Sequence, residues 1–127
     1  MIKKKYKILI IEDDVPLREM YQERLEMEGY EVEVAGDGEE GLAKAAEIQP
    51  NLILLDLMMP KISGLDVLDI LKSTPKTKDI PVIVLTALST VKMKSLVFGA
   101  EDYLVKADCT LEDVVSKVNE IIEKYYD

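Results

Sequence analysis

Short apolar runs rich in β-branched residues alternate along this chain with longer stretches of helical spacing. The short runs are Lys7–Ile11, Glu31–Ala35, 52–55, 81–85 and Asp102–Val105. Three of them are nearly continuous in apolar residues, as expected of parallel strands covered on both faces. Asp14 caps a first helix with Pro16 in its first turn, and Gly29 suits its stop. Asp37-Gly38 forms a turn into a second helix over 39–48, with Pro50 beyond its end. Leu65, Leu68 and Leu71 recur every three residues on a third. A fourth helix over 89–98 is predicted only weakly, because its polar and apolar positions do not separate. Leu111, Val114, Val115, Val118, Ile121, Ile122 and Tyr125 draw an apolar stripe along the last. The main expected interruption is the polar loop 73–79 around Thr74-Pro75. With no repeat, low-complexity segment or linker, residues 1–127 are expected to form a single domain.

Strands alternating with helices imply an α/β fold with a parallel sheet wrapped on both faces. In such sheets ligands gather at the carboxyl ends of the strands, near the switch in strand order. Glu12, Asp13 and Asp14 follow the first strand; Asp56 ends the third, Thr86 the fourth, and Lys106 follows the fifth. The second strand ends in Ala35-Gly36 and offers no chemistry.

Like charge is the difficulty at this edge. Two carboxylates about 4 Å apart repel by roughly 4 kcal/mol at an effective dielectric of 20. Lys106 cannot neutralise three or four acids, but a small hard cation can. Mg²⁺ typically takes one or two carboxylates, several waters and a phosphate. Asp13 and Asp56 are the expected direct ligands, with Glu12 acting through water and the backbone carbonyl of Met58 completing the set. The cation would also screen an incoming phosphoryl group from an anionic nucleophile. Asp56 can then form an aspartyl phosphate. Thr86 would offer a hydroxyl to one phosphoryl oxygen and Lys106 a point charge to another. No strong general base is supplied for rapid hydrolysis of the product.

Composition narrows the classes further. The 127 residues are 48% hydrophobic and 32% charged, enough for one core. The absence of histidine excludes a Ser-His or Cys-His triad, a histidine-ligated zinc and a phosphohistidine role. Cys109, the only cysteine, allows neither an internal disulfide nor a thiolate cage. A net charge of −9 disfavours direct contact with nucleic acid or an anionic membrane. The apolar run at residues 8–11 is too short for a membrane span, so a cytoplasmic location is expected.

The motifs together resemble the response-regulator receiver family, of the chemotaxis-regulator kind, over nearly the whole chain. Ile-Ile-Glu-Asp-Asp at 10–14 resembles its acidic cluster. Leu-Leu-Asp-Leu-Met-Met-Pro at 54–60, with Gly64 following, resembles its phosphoacceptor motif and loop. Leu-Thr-Ala at 85–87 and Gly-Ala-Glu-Asp-Tyr-Leu-Val-Lys at 99–106 resemble its switch segments. All four, in this order and spacing, are specific to the family. The resemblance implies a flavodoxin-like, doubly wound five-stranded sheet of order 2-1-3-4-5. It implies Mg²⁺ at Glu12 and Asp13, with Mn²⁺ able to substitute, and phosphorylation of Asp56 by a sensor histidine kinase or histidine phosphotransfer protein. It also implies a switch in which Thr86 is drawn to the phosphoryl group and Tyr103 turns inward behind it. The family's output surface is its fourth helix, fifth strand and fifth helix. Output would pass to a downstream protein target or effector domain, from a monomer or a phosphorylation-dependent dimer, without direct nucleic-acid or membrane contact.

Two departures stand out. Ala107 replaces the proline that usually follows the switch lysine. A cis bond there would cost about 3–4 kcal/mol, so either a strained bond or a rearranged loop over 107–110 is expected. The thirteen positions from Thr86 to Gly99 are fewer than the family's usual spacing, which predicts a short fourth helix.

Blander explanations cover the residues singly. Glu12-Asp13-Asp14 taken alone is a solvated strand end with a helix cap, and Tyr103 is equally an ordinary strand aromatic. Among rival classes, an Asp-nucleophile phosphatase would carry a second acid two residues on, where Met58 stands. A flavodoxin-type cofactor binder would carry a hydroxyl- and glycine-rich loop in place of the acids. A phosphorylation-independent pseudo-receiver typically lacks an acid, the Thr or the Lys. Met58 and Leu88, two positions beyond Asp56 and Thr86, flank the family's path for hydrolytic water, which predicts a long-lived phosphorylated state.

Overall fold

The computed structural model describes residues 5–87 and 99–126. Its elements are β1 (Lys7–Ile11), α1 (Val15–Met27), β2 (Glu31–Ala35), α2 (Gly38–Ile48), β3 (Leu52–Asp56), α3 (Gly64–Ser73), β4 (Val82–Thr86), β5 (Asp102–Val105) and α4 (Leu111–Tyr126). A 3-10 turn, Lys106–Asp108, links the last two. The helix predicted over 89–98 lies outside the described residues.

The strands form one sheet in the order β2-β1-β3-β4-β5, parallel throughout. Period-two alternation divides each central strand between two cores. Leu9, Ile11, Ile53 and Leu55 face one core with Val67, Leu68 and Leu71 of α3. Ile8, Ile10, Leu52 and Leu54 face the other, packed by Tyr21 and Leu25 of α1 and by α4. This two-sided demand explains why β3 and β4 are buried at every position. At the edge, β2 alternates instead, with Glu31 and Glu33 in solvent.

Helix ends follow local chemistry. Asp14 Oδ1 accepts from Leu17 N at 3.0 Å, Asp37 Oδ1 from Glu40 N at 2.8 Å, and Ser63 Oγ from Asp66 N at 3.2 Å. Gly29, at φ 101°, lets the chain leave α1 by the left-handed turn closed to most residues. On α4 the predicted stripe buries Val114, Val115, Val118, Ile121 and Ile122. Each is worth about 1.5–3 kcal/mol. Tyr125, at the stripe's end, is 45% exposed.

The loop 73–79 is tied rather than loose. Thr77 Oγ1 is buried and donates to Leu71 O at 2.7 Å, while Lys72 Nζ donates to Ile80 O at 2.6 Å. Among the described residues no helix is long and apolar enough to cross a membrane.

Candidate functional site

The strand order reverses between β1 and β3: the chain leaves β1 for β2 on one side and returns to β3 on the other. Connections diverge there, opening a crevice at the carboxyl edge. Glu12, Asp13 and Asp56 meet in it, each placing a carboxylate oxygen within 4.8 Å of the others. Asp56 and Thr86 are the last residues of their strands, as expected, and both are buried.

Lys106 joins from beyond β5. Its Nζ lies 3.0 Å from Glu12 Oε1 and 3.3 Å from Asp56 Oδ1. One ammonium thus serves two acids. Burial raises the Glu12 pKa to about 7, with hydrogen bonding to Asp56 adding to the rise and Lys106 opposing it. For Lys106, burial disfavours the ammonium, but its hydrogen bond to Glu12 and the charges of Asp56 and Glu12 outweigh that and hold its pKa above the usual value.

The three neighbouring acids have separate fates. Glu12 is 1% exposed, its Oε2 accepting from Asp14 N at 3.3 Å. Asp13 is exposed while keeping a carboxylate oxygen within 4.8 Å of the other two acids, and Asp14 serves as the α1 cap. Both Glu12 oxygens therefore already have donors, in keeping with an indirect part in holding a cation. The donor set is all oxygen, crowded and under-neutralised, which suits Mg²⁺.

The loop after β3 closes over Asp56. Met58 donates its backbone N–H to Asp56 Oδ1 at 3.1 Å, while the residue as a whole is 56% exposed. Gly64 N donates to Leu57 O at 3.0 Å. A Cβ at Gly64 would stand 2.4 Å from Asp56 O and 2.3 Å from Leu57 Cα, so only glycine lets α3 begin this close to the site.

Tyr103 is half-buried and packs on the α3-side core. The peptide bond after Lys106 is trans, and the chain takes the 3-10 turn instead, so a rearranged loop is the outcome at Ala107. Leu88 lies outside the described residues. One neighbour of the site had no signal in the sequence. Arg18, one turn into α1, donates from Nη1 to Glu12 O at 3.1 Å. Only its spacing of six from Glu12 could have drawn attention to it.

A family model described as the response regulator receiver domain matches residues 8–119. The chain is 42% identical over 120 residues to the DNA-binding dual master transcriptional regulator RpaA of Synechocystis, covering 93% of this chain and 49% of that protein. It is 38% identical over 120 residues to the response regulator MprA of Mycobacterium leprae, covering 93% and 51%. Among solved structures it is similar to response regulator TrrA from Thermotoga maritima in complex with Mg²⁺-BeF. That match has a TM-score of 0.81 and 36% identity, covering 91% of this chain and 97% of that one. The chain spans about half the length of the curated relatives it matches.

These relatives correct one expectation. The expectation of no direct nucleic-acid contact is overturned at the level of the relatives, since RpaA is a DNA-binding transcriptional regulator. The net charge of −9 belongs to these 127 residues. It carries no information about the half of the relatives' length outside the match.

Proposed function

The chain belongs to the response regulator receiver domain family, and we propose that Asp56 is its phosphoacceptor, charged by a phosphohistidine partner with a divalent cation held beside it. One observation carries this assignment: Asp56 ends an otherwise apolar strand yet shares a 4.8 Å cluster with two further acids and, among the described residues, a single paired ammonium. A strand core of leucine and isoleucine has no structural need of such a group.

In the proposed reaction an Asp56 carboxylate oxygen attacks phosphorus. A P–O bond forms as the P–N bond to the donor imidazole breaks, and its electron pair stays on the ring nitrogen. When bound, Mg²⁺ supplies positive charge that screens nucleophile from phosphoryl group, and Mn²⁺ suits the same ligands. Asp13, Asp56 and the Met58 carbonyl would hold it, with Glu12 acting through water. The Met58 N–H orients Asp56. Lys106, already 3.3 Å from Asp56 Oδ1, would donate to one phosphoryl oxygen and Thr86 to another. Thr86 would move toward that oxygen, with Tyr103 turning in behind it.

The domain is a signalling domain, and we infer that it catalyses only its own phosphorylation and slow dephosphorylation. We likewise take residues 1–127 as one receiver domain, with output passing to a downstream target or effector domain. The pseudo-receiver alternative is not favoured, since the acids, Thr86 and Lys106 are all present.

The test is exposure to acetyl phosphate with and without Mg²⁺, read by intact mass on wild type and Asp56→Asn. One added phosphoryl group requiring both Mg²⁺ and Asp56 is expected. An unmodified wild-type protein would return the pseudo-receiver to favour.

A further inference from the structure

Arg18 touches the site from behind. Its Nη1 donates to the carbonyl oxygen of Glu12, the last peptide before Asp13, at 3.1 Å. The amide of the same residue donates to Ala35 O at 3.0 Å, extending the β1–β2 ladder by one rung. Glu12 is therefore gripped at both backbone groups, by β2 on one side and α1 on the other.

The space for the guanidinium is provided by β2's exit. A Cβ at Gly36 would meet Arg18 Nη1 at 3.0 Å and Glu40 Oε1 at 3.8 Å. Glu40 Oε1 accepts from Gly36 N at 2.6 Å and forms the other wall of the slot. Gly36 thus leaves open the place where Arg18 sits. Position 36, which offers no chemistry of its own, gains a purpose in this way.

The Glu12 carbonyl belongs to the peptide joining Glu12 to Asp13. Rotating that peptide would redirect Asp13, whose carboxylate must stay within 4.8 Å of those of Glu12 and Asp56. The Glu12 N–H makes the last ladder bond on this side, and the Glu12 carbonyl beyond it is bonded by Arg18 instead. Arg18 supplies the missing restraint, with a guanidinium whose planar donors suit a fixed acceptor.

We propose that Arg18 is a positioning residue for the divalent cation, holding the Glu12–Asp13 peptide through the slot that Gly36 leaves open. This inference rests on the cation site described above. It concerns a contact made to the backbone, not a ligand.

The sign of the effect separates this role from others. Arg18 is a cation beside a cation site, so electrostatics alone would make its removal tighten Mg²⁺ binding. A purely structural role would lower thermal stability and leave affinity alone. A positioning role weakens affinity, at the lower end of the 10–100-fold typical when groups that orient metal ligands are lost. Calorimetric titration of Mg²⁺ into the metal-free chain measures this directly and needs no phosphodonor.

Arg18→Ala is expected to weaken Mg²⁺ about tenfold. Arg18→Lys, which keeps a cationic donor group but loses the planar fork, should recover part of the loss. Gly36→Ala should weaken binding less than Arg18→Ala, because the guanidinium can yield by a few tenths of an ångström. It also tests the idea should Arg18→Ala not fold. Unchanged or tighter binding in Arg18→Ala, or in Gly36→Ala if that is the only folded variant, overturns the proposal. Asp13→Asn is the control for the site itself. If wild type and Asp13→Asn bind Mg²⁺ alike, the cation site is wrongly placed and the Arg18 role falls with it.

Discussion

The two ends of the sheet are built on opposite principles. At the carboxyl edge, Glu12, Asp13 and Asp56 crowd within 4.8 Å while Lys106 divides itself between two of them. At the amino edge, polar groups are matched. Asn51 exchanges two hydrogen bonds with the Lys7 backbone, each 2.8 Å, and its carbonyl accepts from Tyr126 Oη at 2.8 Å. The Tyr126 ring lies 5.5 Å from that of Tyr6, and Lys124 pairs with Glu101 at 2.8 Å. The amino edge anchors α4 to the sheet, whereas the carboxyl edge stores unneutralised charge that a cation and a phosphoryl group would use. Stability and chemistry occupy separate ends of the same strands.

The largest test of this contrast is pH. The Glu12 pKa is raised from 4.5 to about 7 in the folded chain. Its contribution to stability is therefore full below about pH 4.5 and lost as pH rises through about 7. The urea midpoint of the metal-free protein should rise between pH 8 and pH 5.5. Saturating Mg²⁺, which favours the carboxylates, should flatten that rise, and Glu12→Gln should remove it. A metal-free midpoint that is level or falls on acidification would show that the edge stores no such charge.

A smaller effect concerns the lifetime of the phosphorylated state. Met58, 56% exposed beside Asp56, should hinder water at that position. Replacing Met58 and Leu88 together with asparagine should speed phosphate loss several-fold, timed by intact mass. No acceleration would remove both side chains from the water path.

The smallest effect sharpens the other end. Tyr126→Phe deletes the donor to Asn51 O and should cost about 0.5–1 kcal/mol in chemical denaturation. Mg²⁺ affinity should stay at the wild-type value. A change in affinity would mean that the two edges are coupled through β1 or β3.

Much of the carboxyl edge was legible beforehand, because parallel strands advertise themselves and ligands collect where they end. Asp56, Thr86 and Lys106 could each be placed by counting from an apolar run. The individual fates of Glu12, Asp13 and Asp14 were less accessible, since three adjacent acids look alike until the backbone turns. Arg18 was invisible because its partner is a carbonyl, which every residue possesses. The amino-edge contacts of Asn51 and Tyr126 were hidden for the same reason: they join positions 75 apart and have no motif.

What the chain determined by itself is local and periodic. Alternating apolar runs define strands, caps at Asp14, Asp37 and Ser63 start helices, and Gly29 ends one, because these depend on neighbours within a turn. Only the tertiary structure decided that Lys106 bridges Glu12 and Asp56, that Gly64 must touch the Asp56 backbone, and that Gly36 makes room for Arg18. Those contacts depend on pairing register and helix packing. They are settled when burial on both faces of the sheet is satisfied at once, and no short stretch of sequence contains that condition.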